Sequence, residues 1–91
     1  MSRVDCCSLG GLEMVFHSND HLPPHVHVRK PGHWEIRADL MQTTGDRLVY
    51  RAVWPKQGPG PPARDQRRIR RVVAENRGEL LEEWERKVCP R

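Results

Sequence analysis

Residues 55–62 read PKQGPGPP, with four prolines and two glycines in eight positions. Proline lacks the backbone donor that a helix interior or a central strand requires, so neither element can cross this stretch. It acts as an extended linker, and the chain on either side must fold as separate elements. The two sides carry different periodicities. Before the linker, apolar residues recur with period two, the mark of half-buried strands. After it, Ile69, Val72, Val73, Leu80, Leu81, Trp84 and Val88 recur at helical spacing.

Four strands are expected before the linker. Leu12, Met14 and Phe16 alternate with Glu13, Val15 and His17, and Val26 and Val28 alternate with His25, His27 and Arg29. A third strand runs over about 33–40, with Trp34, Ile36, Ala38 and Leu40 on one face. A fourth, over about 47–54, has Leu48, Tyr50, Ala52 and Trp54 on one face. Turn-formers separate them at 18–24 (SNDHLPP), at 30–33 (KPGH) and at 41–46 (MQTTGD). Placing His17 opposite His25 pairs Val15 with His27, Glu13 with Arg29, Met14 with Val28 and Phe16 with Val26. That register makes one face wholly apolar, and a slip by one residue would destroy it. An extra loop residue at Gly32 likewise pairs Val28 with Ile36, Arg29 with Glu35, His27 with Arg37 and His25 with Asp39.

The fold class that follows is α+β. A four-stranded antiparallel meander over 12–54 is covered on its apolar face by a C-terminal helix over 63–89. Either one helix or two meeting at Gly78 fits the apolar stripe, and one bent helix ending before Pro90 is the simpler expectation. Residues 1–10 read as a poorly ordered lead-in to a single domain over 11–91. Apolar residues make up only 36% of the chain. A core in a chain this short supplies only about 3–5 kcal/mol, so a metal, a partner or self-association would matter to stability.

The histidines are the sharpest chemical feature. His17, His21, His25, His27 and His33 all fall within 17 residues. His25 and His27 project from one face of one strand, about 7 Å apart along it. His21 sits on the preceding loop beside Asp20, with Pro23-Pro24 directing the chain back. Imidazoles so arranged can hold a divalent transition metal such as zinc, nickel, copper or iron. His21, His25 and His27 are the candidate ligands, and Asp39 opposite His25 is a candidate to orient it. Without a metal, His25, His27 and Asp20 are candidates for acid–base chemistry near neutral pH. A polar sheet face also carries histidine simply because it is wet. Ser8, Ser18 and the thiols offer no convincing nucleophile–base pair.

Charge marks a second candidate surface. The formal net charge is +4, and residues 64–71, with five Arg and one Asp, carry an excess equal to all of it. Arg64, Arg67 and Arg71 lie opposite the apolar stripe, and Arg68 lies beside them. The second half of the helix is acidic, an order that opposes the helix dipole. Arg64, Arg67, Arg68 and Arg71 are therefore candidate contacts to nucleic acid or an acidic partner, although a charge run is often only a solvated face. Cys6, Cys7 and Cys89 lack the number and spacing of a disulfide framework or a zinc knuckle. No apolar run is long enough to cross a membrane and no signal-peptide core is present, so a cytoplasmic protein without membrane contact is expected.

The segment Asp20-His21-Leu22-Pro23-Pro24-His25-Val26-His27 resembles the DH-x-PPH-x-H motif of a small bacterial family, domain of unknown function 4160. Met14-Val15-Phe16, Trp34-Glu35-Ile36 and Glu79-Leu80-Leu81-Glu82-Glu83-Trp84 match the family's flanking strands and its closing ELL-x-x-W helix. The resemblance covers about residues 12–88 and departs from the family pattern in an insertion around 41–62. It implies a small prokaryotic protein encoded beside a small protein partner in a toxin–antitoxin-like pair, and it carries no established reaction. The leading expectation is therefore a component that acts through that partner or nucleic acid. The rivals are a compact nuclease or other hydrolase built on the histidines, and a binding module without catalysis.

Overall fold

The computed structural model describes residues 2–17 and 22–88. Five strands form one sheet: β1 (Ser2–Arg3), β2 (Glu13–Phe16), β3 (His25–Lys30), β4 (Trp34–Asp39) and β5 (Tyr50–Trp54). They lie in chain order, each antiparallel to the next. Two helices follow, α1 (Ala63–Glu75) and α2 (Arg77–Val88). The α+β class and the antiparallel sheet agree with the sequence reading, whereas the strand number and the single helix do not.

The two expected registers are observed. Glu13 pairs with Arg29, Met14 with Val28 and Val15 with His27. Across the next pair, His25 meets Asp39, His27 meets Arg37, Val28 meets Ile36 and Arg29 meets Glu35. Pro31 and Gly32 build the connecting turn. Gly32 takes φ +80°, and the N–H of His33 donates to the carbonyl of Lys30 at 2.9 Å, the pattern of a turn with Pro at its second and Gly at its third position.

The fifth strand comes from the segment read as a lead-in. Ser2 pairs with Phe16 and Arg3 with Val15. Two residues are too few to show a period. Their anchor also lies about eighty residues away, on α2. The buried carboxylate of Glu83 accepts the backbone N–H groups of Asp5 at 2.8 Å and Cys6 at 2.7 Å. Lys87, one turn on, donates to Glu83, to Asp5 and to the carbonyl of Arg3.

The expected fourth strand is shorter than 47–54 because its first residues close a loop instead. The hydroxyl of the buried Thr43 donates to the carbonyl of Val49 and accepts its N–H. Thr44 accepts the N–H groups of Asp46 and Arg47. A bulge between Glu35 and Ile36 then pairs Ile36 with Ala52 but Glu35 with Trp54. The extra residue turns Trp54 away from the face of Tyr50 and Ala52, where simple alternation would put it, and leaves it 55% exposed.

The expected single helix is two. The break falls at Asn76, not at Gly78. The backbone of Asn76 leaves helical values (φ −120°, ψ 21°), while its N–H and its side-chain amide both donate to the carbonyl of Val72. A side chain that competes for backbone acceptors favours helix ends over interiors. Gly78 sits inside α2. The guanidinium of Arg77 donates to the carbonyls of Leu40 and Thr43, which ties the start of α2 to the loop after β4. Ile69, Val73, Leu80, Trp84 and Val88 pack against Met14, Phe16, Val26, Val28, Ile36 and Leu40 in one core. The opposite sheet face carries the histidines. Neither helix is long and apolar enough to cross a membrane.

Burial pushes the Glu83 carboxyl upward, but the amides of Asp5 and Cys6 and the Lys87 ammonium outweigh it and hold it at about 2, below its ordinary 4.5. A carboxyl depressed in the folded state contributes stability that is complete above about pH 4.5 and is lost as pH falls through about 2. Thermal melts across that window should therefore show the wild type losing stability. Glu83→Gln should be less stable at neutral pH and should lose less of its remaining stability on acidification.

Candidate functional site

Rows of side chains cross the helix-free face. In one, Glu13, Arg29, Glu35 and Trp54 are neighbours on successive strands; in the next, Val15, His27, Arg37 and Arg51. His25 and Asp39 begin a third. His17, one residue past β2, continues the alternation of Glu13 and Val15.

Arg29 has two acidic neighbours in its row and uses Glu13, with Nε donating to Oε1 at 2.6 Å. Glu35 turns diagonally to the histidines. Its Oε2 lies 3.0 Å from His27 Nδ1 and 3.5 Å from His17 Nε2. The rings of His17 and His27 meet edge to face, with centroids 4.0 Å apart and planes at 87°. One ligand atom from each of His17, His27 and Glu35 falls within a 4.8 Å cluster. Two imidazoles and a carboxylate are the protein donor set of many catalytic zinc sites. Metal–ligand bonds of about 2.1 Å require donor atoms roughly 3.4 Å apart, so the two contacts to Glu35 already bracket the span. A carboxylate only accepts, so a neutral His27 donates from Nδ1, and a metal at that nitrogen would displace its proton. In the absence of a metal, the same contact orients His27 for acid–base chemistry.

His25 lies against this group. Its ring centroid is 5.2 Å from that of His27, and its Nδ1 is 2.9 Å from the carbonyl of Pro23. A carbonyl can only accept, so Nδ1 carries a proton. His25 is 2% exposed and His27 6%. A merely wet sheet face does not account for histidines this buried. Asp39, which pairs with His25 across the strands, directs Oδ1 to the N–H groups of Met41 and Gln42 instead.

The structure thus brings together His25 and His27 of the sequence candidates. Asp20 and His21 lie outside the described residues. Reading the sequence by rows sets His17 beside His25 and Glu35 opposite Arg29 and so names neither as a ligand, whereas the His17 ring meets His27. The signal was present: with Glu13 also facing Arg29, one carboxylate of the two is free to take the diagonal.

The arginine candidates lie on α1, across the sheet from the histidines. Arg64, Arg67 and Arg71 are exposed, and their guanidinium groups make no hydrogen bond or ion pair among the described residues. Arg68 is used within the fold, donating to Asp65 and to the carbonyl of Gly10. Cys6 and Cys7 are free thiols with Sγ atoms 3.4 Å apart. Burial is the largest cause raising both thiols, with Glu83 adding to it. They are poor nucleophiles as a result.

Fold and site together define a small α+β protein with helices on one sheet face and a partly buried histidine–carboxylate group on the other. The chain belongs to the family described as Domain of unknown function (DUF4160), whose model matches residues 11–85. No curated protein and no solved structure matches it.

Proposed function

We propose that the protein is a small hydrolase whose centre is a divalent transition metal held by His17, His27 and Glu35. The observation that carries this reading is the convergence of their three ligand atoms within 4.8 Å on one side of the sheet. A metal bound there supplies an acidified water as nucleophile at neutral pH. The chain's own part is to fix the donors. Strand pairing sets His27 beside Glu35, Arg29 is kept from Glu35 by Glu13, and the His25 ring packs against that of His27. Three protein donors leave a coordination position for water or substrate.

Calorimetric titration of the metal-stripped protein with zinc tests this directly. One zinc per chain is expected, with affinity weakened about 10–100-fold or more by His17→Ala, His27→Ala or Glu35→Gln. Circular dichroism checks that each variant folds. A wild type that takes up no divalent transition metal, or three variants that bind as it does, would sink the proposal.

A second reading rests on a different observation, the three exposed arginines of α1 whose guanidinium groups make no hydrogen bond or ion pair among the described residues. They fit an electrostatic contact to nucleic acid or to an acidic partner of the toxin–antitoxin kind. Replacing Arg64, Arg67 and Arg71 by Ala should weaken nucleic-acid binding and lower its salt dependence by about one phosphate contact per arginine. Binding that is indifferent to salt removes this reading.

A further inference from the structure

Beside the histidines, at the β4–β5 side of the same face, lies an open cleft of about 370 Å³. His25, Arg37, Asp39, Gln42 and Arg51 are among its lining residues. Arg37 and Arg51 are direct cross-strand partners. Like charges directly opposite one another on a sheet repel. Neither guanidinium makes a hydrogen bond or ion pair among the described residues. The nearest acid in the lining, Asp39, has one oxygen engaged by two backbone amides. Two cations thus line one cleft with ten N–H donors between them. The next residue along their row is His27, a member of the proposed metal centre.

We propose that Arg37 and Arg51 form an oxyanion subsite that receives a phosphoryl group, and that substrates of the His17–His27–Glu35 centre are phosphate esters. The assignment of substrate class rests on the hydrolase reading; the anion subsite itself does not. A guanidinium presents paired donors that match two oxygens of a phosphate. A phosphate between the two arginines relieves their repulsion and supplies acceptors to both. Through His27, the arginine row adjoins the metal donors, so an ester held by its phosphate presents its bond on the same face as the nucleophile. The exposed Trp54 lies opposite Glu35 on that face, where it offers a surface to whatever group the phosphate carries.

The test is an NMR titration of the metal-free full chain with inorganic phosphate at constant ionic strength, with acetate as a parallel arm. Phosphate should move the Arg37 and Arg51 side-chain Nε–H signals, with little response to acetate. Arg37→Gln and Arg51→Gln should each weaken phosphate binding about tenfold or more, and each should retain the zinc affinity of the wild type. His27→Ala should still bind phosphate in the absence of metal. No response to phosphate, a response confined to Arg64, Arg67 and Arg71 on α1, or an equal response to acetate would overturn the subsite. The two proposals can fail separately. Phosphate binding at Arg37 and Arg51 without zinc binding keeps the subsite and removes the metal centre. Zinc binding without phosphate binding does the reverse.

Discussion

The register of β2 against β3 is the constraint on which the rest depends. With Val15 opposite His27, Met14 and Phe16 join Val26 and Val28 on one face, and Glu13 meets Arg29 on the other. A slip by one residue would turn the apolar set to solvent and the histidines to the core. The ion pair between Glu13 and Arg29 is half-buried and is worth about 1 kcal/mol or less by itself. Its larger effect is selective. It takes up the cation directly opposite Glu35, and so leaves that carboxylate beside His17 and His27.

Much of this was legible in the sequence because side-chain alternation and helical spacing are read from local order. The registers of β2, β3 and β4, the start of the helical part at 63 and the stripe from Ile69 to Val88 all follow from it. Three features were not legible, for three physical reasons. Strand β1 has two residues and is held by Glu83 and Lys87 from the far end of the chain, a contact no local pattern encodes. The helix break at Asn76 depends on one side-chain amide competing for the carbonyl of Val72, an event smaller than the apolar period. The contact of Glu35 with His17 and His27 is diagonal, whereas pairing arithmetic counts only residues directly opposite.

The N-terminal segment has a consequence for the core. Leu9 is buried in it, and Val4, Cys6 and Cys7 pack against it. The segment lies before the stretch 11–85 that the family model matches. Its attachment is polar: a buried carboxylate, two backbone amides and an ammonium. Such a group is stable only as a whole, since removing Lys87 or the amides would leave Glu83 charged and buried. In a chain with few apolar residues, this polar clamp on one edge adds to the small apolar contribution of Leu9 and Val4 in holding one more strand.

Both helices lie on one side of this sheet, and that asymmetry separates two positive surfaces. On α1, Arg64, Arg67 and Arg71 ride on a convex helix, where long side chains spread into solvent and repulsion between them costs a few tenths of a kcal/mol per pair. On the sheet, Arg37 and Arg51 are fixed opposite each other by the backbone, with Cβ atoms about 4.5–5.5 Å apart, and the cost rises to roughly 0.2–1 kcal/mol. The charges on the helix can part. Those on the sheet share a cleft with His25, and a bound anion offsets their repulsion more directly than solvent does. The helix surface suits contact with an extended polyanion, and the cleft suits one small oxyanion. The second surface also differs in its neighbours, because its arginines lie in one row with His27, which contacts Glu35.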